Sequence, residues 1–445
     1  ENIMPLQGSP SYDDLVLQRR HPLKAGGPNP ERTDRVMLVR QRISRIYYNR
    51  KFFDYPISMK PRTFLNMGFL QTMKAGFSYL ASCVHKLPED SLENFYINRF
   101  GRVLYSMFFE GYTEKVWGRH PKEISADWGA QRVKGVSILA LMKNLFHAGE
   151  KETSLIEEFW YPKYGPGQLW ESVAKEIIDM GGRIIEDAYV DKVHINGEEV
   201  SGIGYCHFGE RHYLTGDYFL SSMALKDLVS SMGGLVPKET VEIAKGLPYR
   251  DFVTVGLLVD RIELKNETKL RTLNQIVPDC WIYVQDTKVK MGRIQIFNNW
   301  SPYLVEDAEN KVWIGLEYFC QEGDRFWEMS EQKCVDFAIH ELMAMGILRS
   351  EGAVFKSHRE KVKKAYPAYF DTYNRMEELI SYLDTYKNLY CIGRNGQHRY
   401  NNMDHSMATA FAAVEQIRKG GETVDKSSVW NVNTEKEYHE KKQKG

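Results

Sequence analysis

The residues best suited to chemistry lie in a polar loop near the C-terminus. Residues 388–393 (NLYCIG) predict a short strand, and a helix is predicted to begin near Ser406. The loop between them, RNGQHRYNNMDH, is rich in Asn, Gly and Arg. Because a helix start offers unpaired N–H groups and a partial positive charge, this order of elements suits an anionic or electron-rich ligand.

The composition limits the classes of function. A chain of 445 residues can bury a large core and should form two or three domains. Apolar residues make up 43% of it and aromatic residues 13%, which is typical of an ordered globular protein. Lys plus Arg and Asp plus Glu both number 59, so no net charge attracts nucleic acid or an anionic membrane. We therefore expect no nucleic-acid partner.

The cysteines and the apolar segments indicate a cytoplasmic protein. None of the six cysteines falls in a C-x-x-C pair or a metal-ligand cluster, which favours reduced thiols and predicts no metal site. The sequence does not open on a signal-peptide pattern. The longest apolar stretch, residues 64–84, is interrupted by Asn66, Gln71 and Lys74. It predicts a buried amphipathic helix and not a transmembrane segment, with a peripheral membrane or lipid contact as the alternative.

Turn signals and periodicity predict the elements that position the loop. Asn49 and Arg50 predict the turn of a hairpin within residues 45–57, and Asn196 with Gly197 predicts a second hairpin. Helices are predicted over 169–180 and about 330–346, and an apolar strand over 217–223. Long alternating strands between about 250 and 320 predict an antiparallel sheet.

Several segments carry a resemblance to a known family. Residues 393–407 (GRNGQHRYNNMDHSM) resemble the C-terminal flavin-binding motif of UDP-galactopyranose mutases and of the wider family of FAD enzymes, which includes protoporphyrinogen oxidases and amine oxidases. Residues 109–118 (FEGYTEKVWG) are similar to the mutases' Gly-Tyr-Thr-x-Lys-x-Trp-Gly motif, and residues 52–57 (FFDYPI) to a strand of their substrate domain. With Tyr366 and Pro367 (AYPAYFDTY), the resemblance extends over most of the chain.

The resemblance implies an α/β fold with α+β elements. It comprises a Rossmann-like FAD/NAD(P)-binding domain, a helical lid subdomain and an antiparallel sheet substrate domain. Residues 36–60 and 245–380 would form the substrate domain, 61–150 the helical subdomain, and 158–230 with 385–420 the FAD-binding domain. Residues 1–35 are predicted to be a loop or linker, and 421–445 a polar tail.

The G-x-G-x-x-G turn with which such enzymes ordinarily open is not found in the sequence. The nearest pattern, Gly202-Ile-Gly204, lacks the third glycine and lies in a strand-like run. We therefore expect that several dozen upstream residues, which include this turn, are missing from the chain.

The resemblance also implies a flavin site in the C-terminal loop. An arginine would lie near the pyrophosphate or a flavin oxygen, and the amide near Met403 beside the flavin's N1 and O2 edge. The implied cofactor-binding residues are Gly393, Arg394, Arg399, Met403 and Asp404. Tyr400 matches a tyrosine that contacts the substrate diphosphate in the mutases. The alternative is that the Arg and Asn side chains only cap the next helix.

Three residues are predicted to be catalytic: Arg132, Tyr400 and His398. Where the mutases carry Tyr and Asp, this chain has His398 and Asn402. A histidine near a flavin could move a proton, since its unperturbed pKa is about 6.5, although a lone histidine is more often structural. Arg132, reached by allowing one inserted residue, matches a mutase arginine that binds the diphosphate. After it the sequence VKGVS departs from the mutases' Leu-Pro-Val-Arg type of segment.

Four residues are predicted to bind the substrate: Tyr112, Thr113, Trp117 and Arg293. The first three match mutase residues that line the nucleotide-sugar site, where the tyrosine stacks on uracil and the tryptophan lies by the sugar. Packing in a helix core is the alternative for Trp117. Strand periodicity places Arg293 on one side of its strand with Gln295, where it would line the substrate face of the sheet together with Trp300. A solvated sheet edge is the alternative there.

The sequence therefore predicts an enzyme, either an FAD-dependent oxidoreductase or a flavin-dependent mutase. Its small-molecule substrate would be a nucleotide sugar such as a UDP-sugar, or a related compound of a polysaccharide pathway. One alternative is dehydrogenation of an apolar ring, as in protoporphyrinogen oxidases and amine oxidases. Another is a non-catalytic flavin-fold binding subunit. A homo-oligomer is left open.

Overall fold

The computed structural model describes residues 29–55, 57, 61–126, 158–268, 270, 272–420 and 425–433. The chain forms two compact units. Unit 1 comprises residues 1–183 and 252–362, and unit 2 comprises residues 184–251 and 363–445. The domain boundaries given above are drawn differently and stay predictions.

The strands follow one another along the chain in this order: β1 (Met37–Gln41), β2 (Ser44–Tyr48), β3 (Lys51–Asp54), β4 (Glu158–Pro162), β5 (Ala188–Asn196), β6 (Glu199–His207), β7 (Glu210–Leu214), β8 (Phe219–Ser221), β9 (Tyr249–Val259), β10 (Trp281–Val284), β11 (Arg293–Ile296), β12 (Val312–Cys320), β13 (Val354–Pro367) and β14 (Leu389–Cys391).

The helices are α1 (Pro61–Met67), α2 (Phe69–Val84), α3 (Leu92–Tyr105), α4 (Gly111–Trp117), α5 (Pro166–Asp179), α6 (Leu225–Met232), α7 (Lys238–Gly246), α8 (Phe297–Trp300), α9 (Glu331–Met345), α10 (Met376–Leu383), α11 (Gly393–Gly396), α12 (Met403–Lys419) and α13 (Ser427–Trp430). A π-helical turn, Ser106–Glu110, joins α3 to α4. Within the described part of the chain, no helix is long and apolar enough to cross a membrane.

A seven-stranded sheet, in the order β13-β9-β12-β11-β10-β2-β3, organises unit 1. The predicted hairpin is confirmed, because β2 and β3 pair antiparallel across a turn in which Asn49 and Arg50 have φ angles of 48° and 59°. The predicted antiparallel pairing is confirmed for part of this sheet. β10 and β11 pair antiparallel, as do β11 and β12, but β10 and β2 run parallel. The long stretch of chain between β2 and β10 permits this parallel pairing.

The two faces of this sheet differ in polarity. Ile282, Val284 and Ile294 are buried in a core that includes Leu342 of α9. The alternate positions of β10 and β11 are half-buried and carry aromatic and polar side chains on the other face. Since successive side chains of a strand point to opposite faces, one short strand contributes both to the core and to an accessible surface.

The prediction of a buried helix over residues 64–84 is wrong, because most side chains of α2 are exposed. The helix buries only Ala75 and Ser82, which are seven residues apart. A Cβ atom at Gly101 of α3 would lie 2.8 Å from the Tyr79 amide nitrogen, so the two backbones are in close contact. Small residues therefore form the inner side of α2. Its large apolar residues face outward, namely Phe69, Leu70, Met73, Phe77, Leu80 and Val84.

Unit 2 contains a three-stranded antiparallel sheet, β5-β6-β7, and a parallel pair, β8 and β14. The hairpin predicted at Asn196 and Gly197 is confirmed, because β5 ends at Asn196 and β6 begins at Glu199. The strands predicted over 217–223 and 388–393 are present as the shorter β8 and β14. Their pairing places the end of β14 beside β8, where the C-terminal polar loop begins.

Candidate functional site

The first candidate surface is the loop over residues 393–404 in unit 2, named the 393–404 loop below. Gly393 has a φ of 75°, and its amide donates to Thr409 Oγ1 at 2.7 Å. A Cβ atom at Gly396 would lie 2.5 Å from the Ser221 carbonyl oxygen of β8. The backbone conformation at the first position and the close approach at the second both require glycine.

Arg394 is fixed within this loop. Its Nε donates to the Ala365 carbonyl at 2.7 Å, and its Nη1 donates to the Asn401 carbonyl at 2.8 Å. The guanidinium carbon lies 5.1 Å from the ring centroid of Tyr366 and 4.2 Å from that of Tyr400. Among the described residues it has no carboxylate partner. The loop therefore keeps a full positive charge in a defined position.

The helix after the loop begins at Met403, three residues before the predicted start. The Asn402 side chain accepts from the amide of His405, whose ring in turn accepts from the Asn402 amide, and this capping box sets the start. The capping alternative thus holds for Asn402. Met403 and Asp404 are exposed at the first turn, where backbone N–H groups favour an anion.

The 393–404 loop also concentrates buried polar atoms that have no hydrogen-bond partner within the described ranges. They are Asn395 Oδ1, Gln397 Oε1, His398 Nδ1 and Asn401 Nδ2. Such atoms are rare in folded proteins and are expected to meet a ligand or an ordered water. Together with the charge of Arg394, these atoms give the loop donors and acceptors for a polar ligand.

The position of His398 gives no support to its predicted catalytic role, which stays a prediction. Its side chain is completely buried in unit 2, with Nε2 2.9 Å from the Ala368 carbonyl and its ring 4.6 Å from that of Tyr249. Burial lowers its pKa to about 4, with the Ala368 hydrogen bond opposing that fall, so the ring is neutral at pH 7. A proton carrier must reach the reacting atoms, and this geometry instead fits a structural histidine.

The second candidate surface lies in unit 1 on the polar side of the seven-stranded sheet. It is formed by Tyr55, Tyr112, Trp281, Tyr283 and Trp300, which we name the aromatic face. The Tyr283 ring centroid is 4.4 Å from that of Tyr55, 5.8 Å from that of Tyr112 and 6.3 Å from that of Trp281. Trp281 and Trp300 stack at 5.4 Å. A series of rings suits a flat or sugar-like ligand.

Lys115 of α4 holds Tyr112 in this arrangement. Its buried ammonium donates to three backbone carbonyls of the β10–β11 connection, those of Val284, Asp286 and Met291, at 3.1, 2.9 and 2.8 Å. On the same connection, Glu341 of α9 accepts from the amides of Lys290 and Met291. Burial lowers the pKa of Lys115 to about 8. Helix α4, and with it Tyr112, is thereby tied to the strand that carries Tyr283.

Arg293 lies on the polar side of β11, as its strand periodicity predicted. Its Nε is 2.9 Å from Glu317 Oε2, and Gln295 Nε2 donates to Glu317 Oε1 at 2.7 Å. Burial raises the pKa of Tyr112 well above its ordinary value, and the charge of Arg293 opposes that rise. Arg293 and Tyr112 therefore belong to the same surface.

The other predicted substrate residues differ in placement. Thr113 and Trp117 are buried, with Trp117 only 6% exposed, so the structure favours the packing alternative for that ring. Arg132 lies outside the described residues. Its predicted diphosphate contact, like the ligand contacts of Thr113 and Trp117, stays a prediction.

Three residues of the aromatic face were not predicted: Tyr55, Trp281 and Tyr283. A signal for two of them is present, because the alternation in residues 280–284 (CWIYV) places Trp281 and Tyr283 on one side of a strand. Trp300 was predicted to line the substrate face of the sheet, but nothing in the sequence connects that strand with Tyr55, which comes from a distant segment.

Comparison with known proteins identifies the fold. The sequence matches no protein-family model. The structure resembles that of a reduced UDP-galactopyranose mutase, with a TM-score of 0.70, 19% identity, and coverage of 89% of this chain and 82% of that chain. It also resembles a protoporphyrinogen oxidase-like protein from Exiguobacterium sp. 255-15 (TM-score 0.56, 12% identity, 80% and 76% covered). A putrescine oxidase redesigned in its cofactor binding is similar as well (TM-score 0.54, 11% identity, 86% and 83% covered). The chain thus has the fold of flavin-dependent oxidoreductases and mutases.

Proposed function

We propose that the protein is a flavin-dependent enzyme that binds FAD at the 393–404 loop and acts on a nucleotide sugar or a related compound. The observation that carries the proposal is the juxtaposition in that loop of an unpaired, fixed arginine with buried polar atoms that have no described partner. The fold supports it, since its structural neighbours include a UDP-galactopyranose mutase and amine oxidases.

The residues of the loop would bind and orient the cofactor. Arg394 offers a positive charge, and the exposed start of α12 offers backbone donors at Met403 and Asp404. Arg399 is half-buried in the same loop and would add a second cation. A bound flavin would supply the redox or covalent chemistry, which no side chain of this loop can perform.

The aromatic face would bind the substrate. Tyr112 lies against Tyr283 in an edge-to-face contact and would stack on a nucleobase, as the matching tyrosine does in the mutases. Arg293 and Gln295, both in contact with Glu317, would hold sugar hydroxyl or phosphate groups by hydrogen bonds. Tyr400, stacked on Tyr366 at 5.5 Å, stays a proposed diphosphate contact.

A second candidate function is dehydrogenation of an apolar ring compound. The stacked Trp281 and Trp300 favour it, because two indoles offer a flat apolar surface that needs no sugar. The nearby arginines favour an anionic substrate instead, and for that reason we place the nucleotide-sugar function first.

The proposal is tested by titrating the purified protein with FAD and recording the visible flavin absorbance. We expect binding that Arg394→Gln weakens at least tenfold, while Arg418→Gln, in the last turn of α12, leaves it unchanged. Addition of UDP-galactose should then perturb the flavin bands, whereas a tetrapyrrole-type reductant that bleaches them would favour the oxidase function. If the protein binds no FAD, the proposed function is wrong.

A further inference from the structure

The arginines around the aromatic face outnumber their carboxylate partners. Arg45, in register with Ile282 on the core side of the same sheet, pairs with Asp279 at 2.6 Å. On the polar side, Arg293 pairs with Glu317 at 2.9 Å. Arg40 and Arg42 precede Arg45 on the same stretch of chain. Neither has a carboxylate within salt-bridge distance among the residues that the structure describes. The surplus positive charge of this region therefore resides on Arg40 and Arg42.

Arg42 is the one of the two that a ligand can reach. Arg40 is buried, and it donates from Nε and Nη2 to the Asn299 carbonyl at 3.1 and 2.7 Å. Arg42 lies in the two-residue connection between β1 and β2 and is only partly buried. Its guanidinium carbon is 5.1 Å from the ring centroid of Trp281, so the aromatic face orients it. Within the described ranges it makes no hydrogen bond.

The charge of Arg42 acts on the centre of the aromatic face. Burial raises the pKa of Tyr283, and the charges of Arg293 and Arg42 both oppose that rise. Arg293 is largely neutralised by Glu317, whereas Arg42 has no such compensation. A negative group near Tyr283 would thus be attracted by Arg42 in addition to the Arg293–Glu317 pair.

A purely structural role for Arg42 is the competing explanation. Stacking of an arginine on tryptophan contributes roughly 0.5–1 kcal/mol at an exposed site. That role leaves one fact unexplained, because the Nε atom of Arg42 has no acceptor within the described ranges although the side chain is only partly buried. An anion with several oxygen atoms would supply acceptors to the donors of this guanidinium.

We propose that Arg42 and Trp281 form an anion subsite of the aromatic face, which binds the phosphate or diphosphate group of the substrate. The inference rests on the proposed function and names the group that the site recognises. The subsite is centred on Trp281, whose ring centroid is 6.3 Å from that of Tyr283, and Tyr283 in turn contacts Tyr112. A nucleobase held against Tyr112 and Tyr283 would therefore carry its phosphates towards Arg42.

The test measures the binding of UDP, uridine and inorganic pyrophosphate by calorimetry, with tryptophan fluorescence as a second readout from Trp281 and Trp300. Arg42→Gln should weaken UDP and pyrophosphate roughly 10- to 100-fold and leave uridine within about twofold, because only the anions lose a charged partner. Arg42→Lys should restore part of the affinity, since it keeps the charge but not the planar fork. The control is Arg349→Gln, which removes an exposed arginine of the same unit.

Two results would overturn the subsite. In one, Arg42→Gln leaves UDP affinity unchanged while Arg293→Gln abolishes it, which would assign the anion to Arg293 and leave the proposed function intact. In the other, the wild-type protein binds neither UDP nor pyrophosphate. FAD binding separates the two proposals, because Arg42→Gln is expected to bind FAD as the wild type does.

Discussion

The 393–404 loop and the aromatic face are held in place by contacts of very different range along the chain. Arg394 is fixed by carbonyls seven and 29 residues away, and Gly393 by a hydroxyl 16 residues away. The strands that carry the aromatic face are joined by an ion pair between residues 234 apart, Arg45 and Asp279, and by Lys115, whose acceptors are 169 to 176 residues away. The loop is thus a local structure, whereas the face exists only when distant segments meet. A substitution in the 393–404 loop should therefore alter only that loop. A substitution that removes one of the distant contacts should disrupt the whole aromatic face.

The largest loss of stability is expected when the buried ion pair between Arg45 and Asp279 is broken. Arg45 and Asp279 are both buried, and burial raises the pKa of Asp279 while Arg45 opposes that rise. Asp279→Asn leaves the guanidinium without a counter-charge, so we expect a loss of about 3–5 kcal/mol in the free energy of unfolding, measured with urea. Asp179→Asn, which breaks the exposed pair with Lys175, is the control and should cost less than 1 kcal/mol. Equal losses in the two variants would contradict the importance given to the buried pair.

The stability of the folded protein is expected to depend on pH through His398 of the 393–404 loop. The pKa of His398 is about 4 in the folded protein against 6.5 ordinarily. Between these values the unfolded chain binds more protons than the folded one, so stability falls as the pH drops from 6.5 towards 4. The loss from this residue should approach roughly 3 kcal/mol. His398→Gln, which retains an amide donor for the Ala368 carbonyl, should flatten that part of the stability profile, as followed by thermal unfolding. An unchanged profile would show that His398 does not dominate the acid sensitivity.

A smaller effect on folding, but a specific one on the ligand, is expected from Arg394→Gln. The variant loses the cation while the glutamine amide can still reach one of the two carbonyls, so we expect unfolding to change by only about 1 kcal/mol. The affinity for FAD should fall at least tenfold. UDP affinity at the aromatic face should be the same as in the wild type. If UDP binding without FAD also fell, the two surfaces would not be independent.

The smallest effect is expected on the outer side of α2. Phe77 is 66% exposed and contributes to neither surface. Phe77→Gln should change the free energy of unfolding by no more than about 0.5 kcal/mol and leave FAD and UDP binding unaltered. Phe95→Ala, which truncates a fully buried ring of the neighbouring α3, provides the contrast and should cost about 3–5 kcal/mol. A large loss for Phe77→Gln would mean that this side of α2 is covered in solution.

The same contrast explains what could be predicted from the sequence. The loop was found as a unit because its glycines, its arginines and the helix start are contiguous. The two hairpins were found because Asn49 with Arg50, and Asn196 with Gly197, encode their turns locally. Of the aromatic face only Tyr112 and Trp300 were predicted, with Arg293 beside them, since the pairing of β2 with β10 brings distant residues together and leaves no local pattern.

The prediction for residues 64–84 was wrong, and the placement of His398 could not be predicted, for a related reason. Residues 64–84 have the composition of a buried helix, but Ala75, Ser82 and Gly101 allow so close an approach of α2 to α3 that the small side becomes the inner one. His398 was singled out by its neighbours in the motif, and its ring turns instead towards Tyr249 and Ala368. Which side of a helix or loop is buried depends on its packing partners, and a linear pattern does not specify them.

The binding of Lys115 to three carbonyls makes this residue a reporter of local motion. An ammonium whose three N–H groups all donate has no lone pair with which to attack an acylating reagent. Lys115 should therefore be modified only when the β10–β11 connection opens and the amine loses its proton. Its labelling rate would be followed by mass spectrometry and compared with that of an exposed lysine such as Lys175. The ratio would measure how often the β10–β11 connection opens. Ligands that bind to this face should slow the labelling of Lys115 and leave that of Lys175 unchanged.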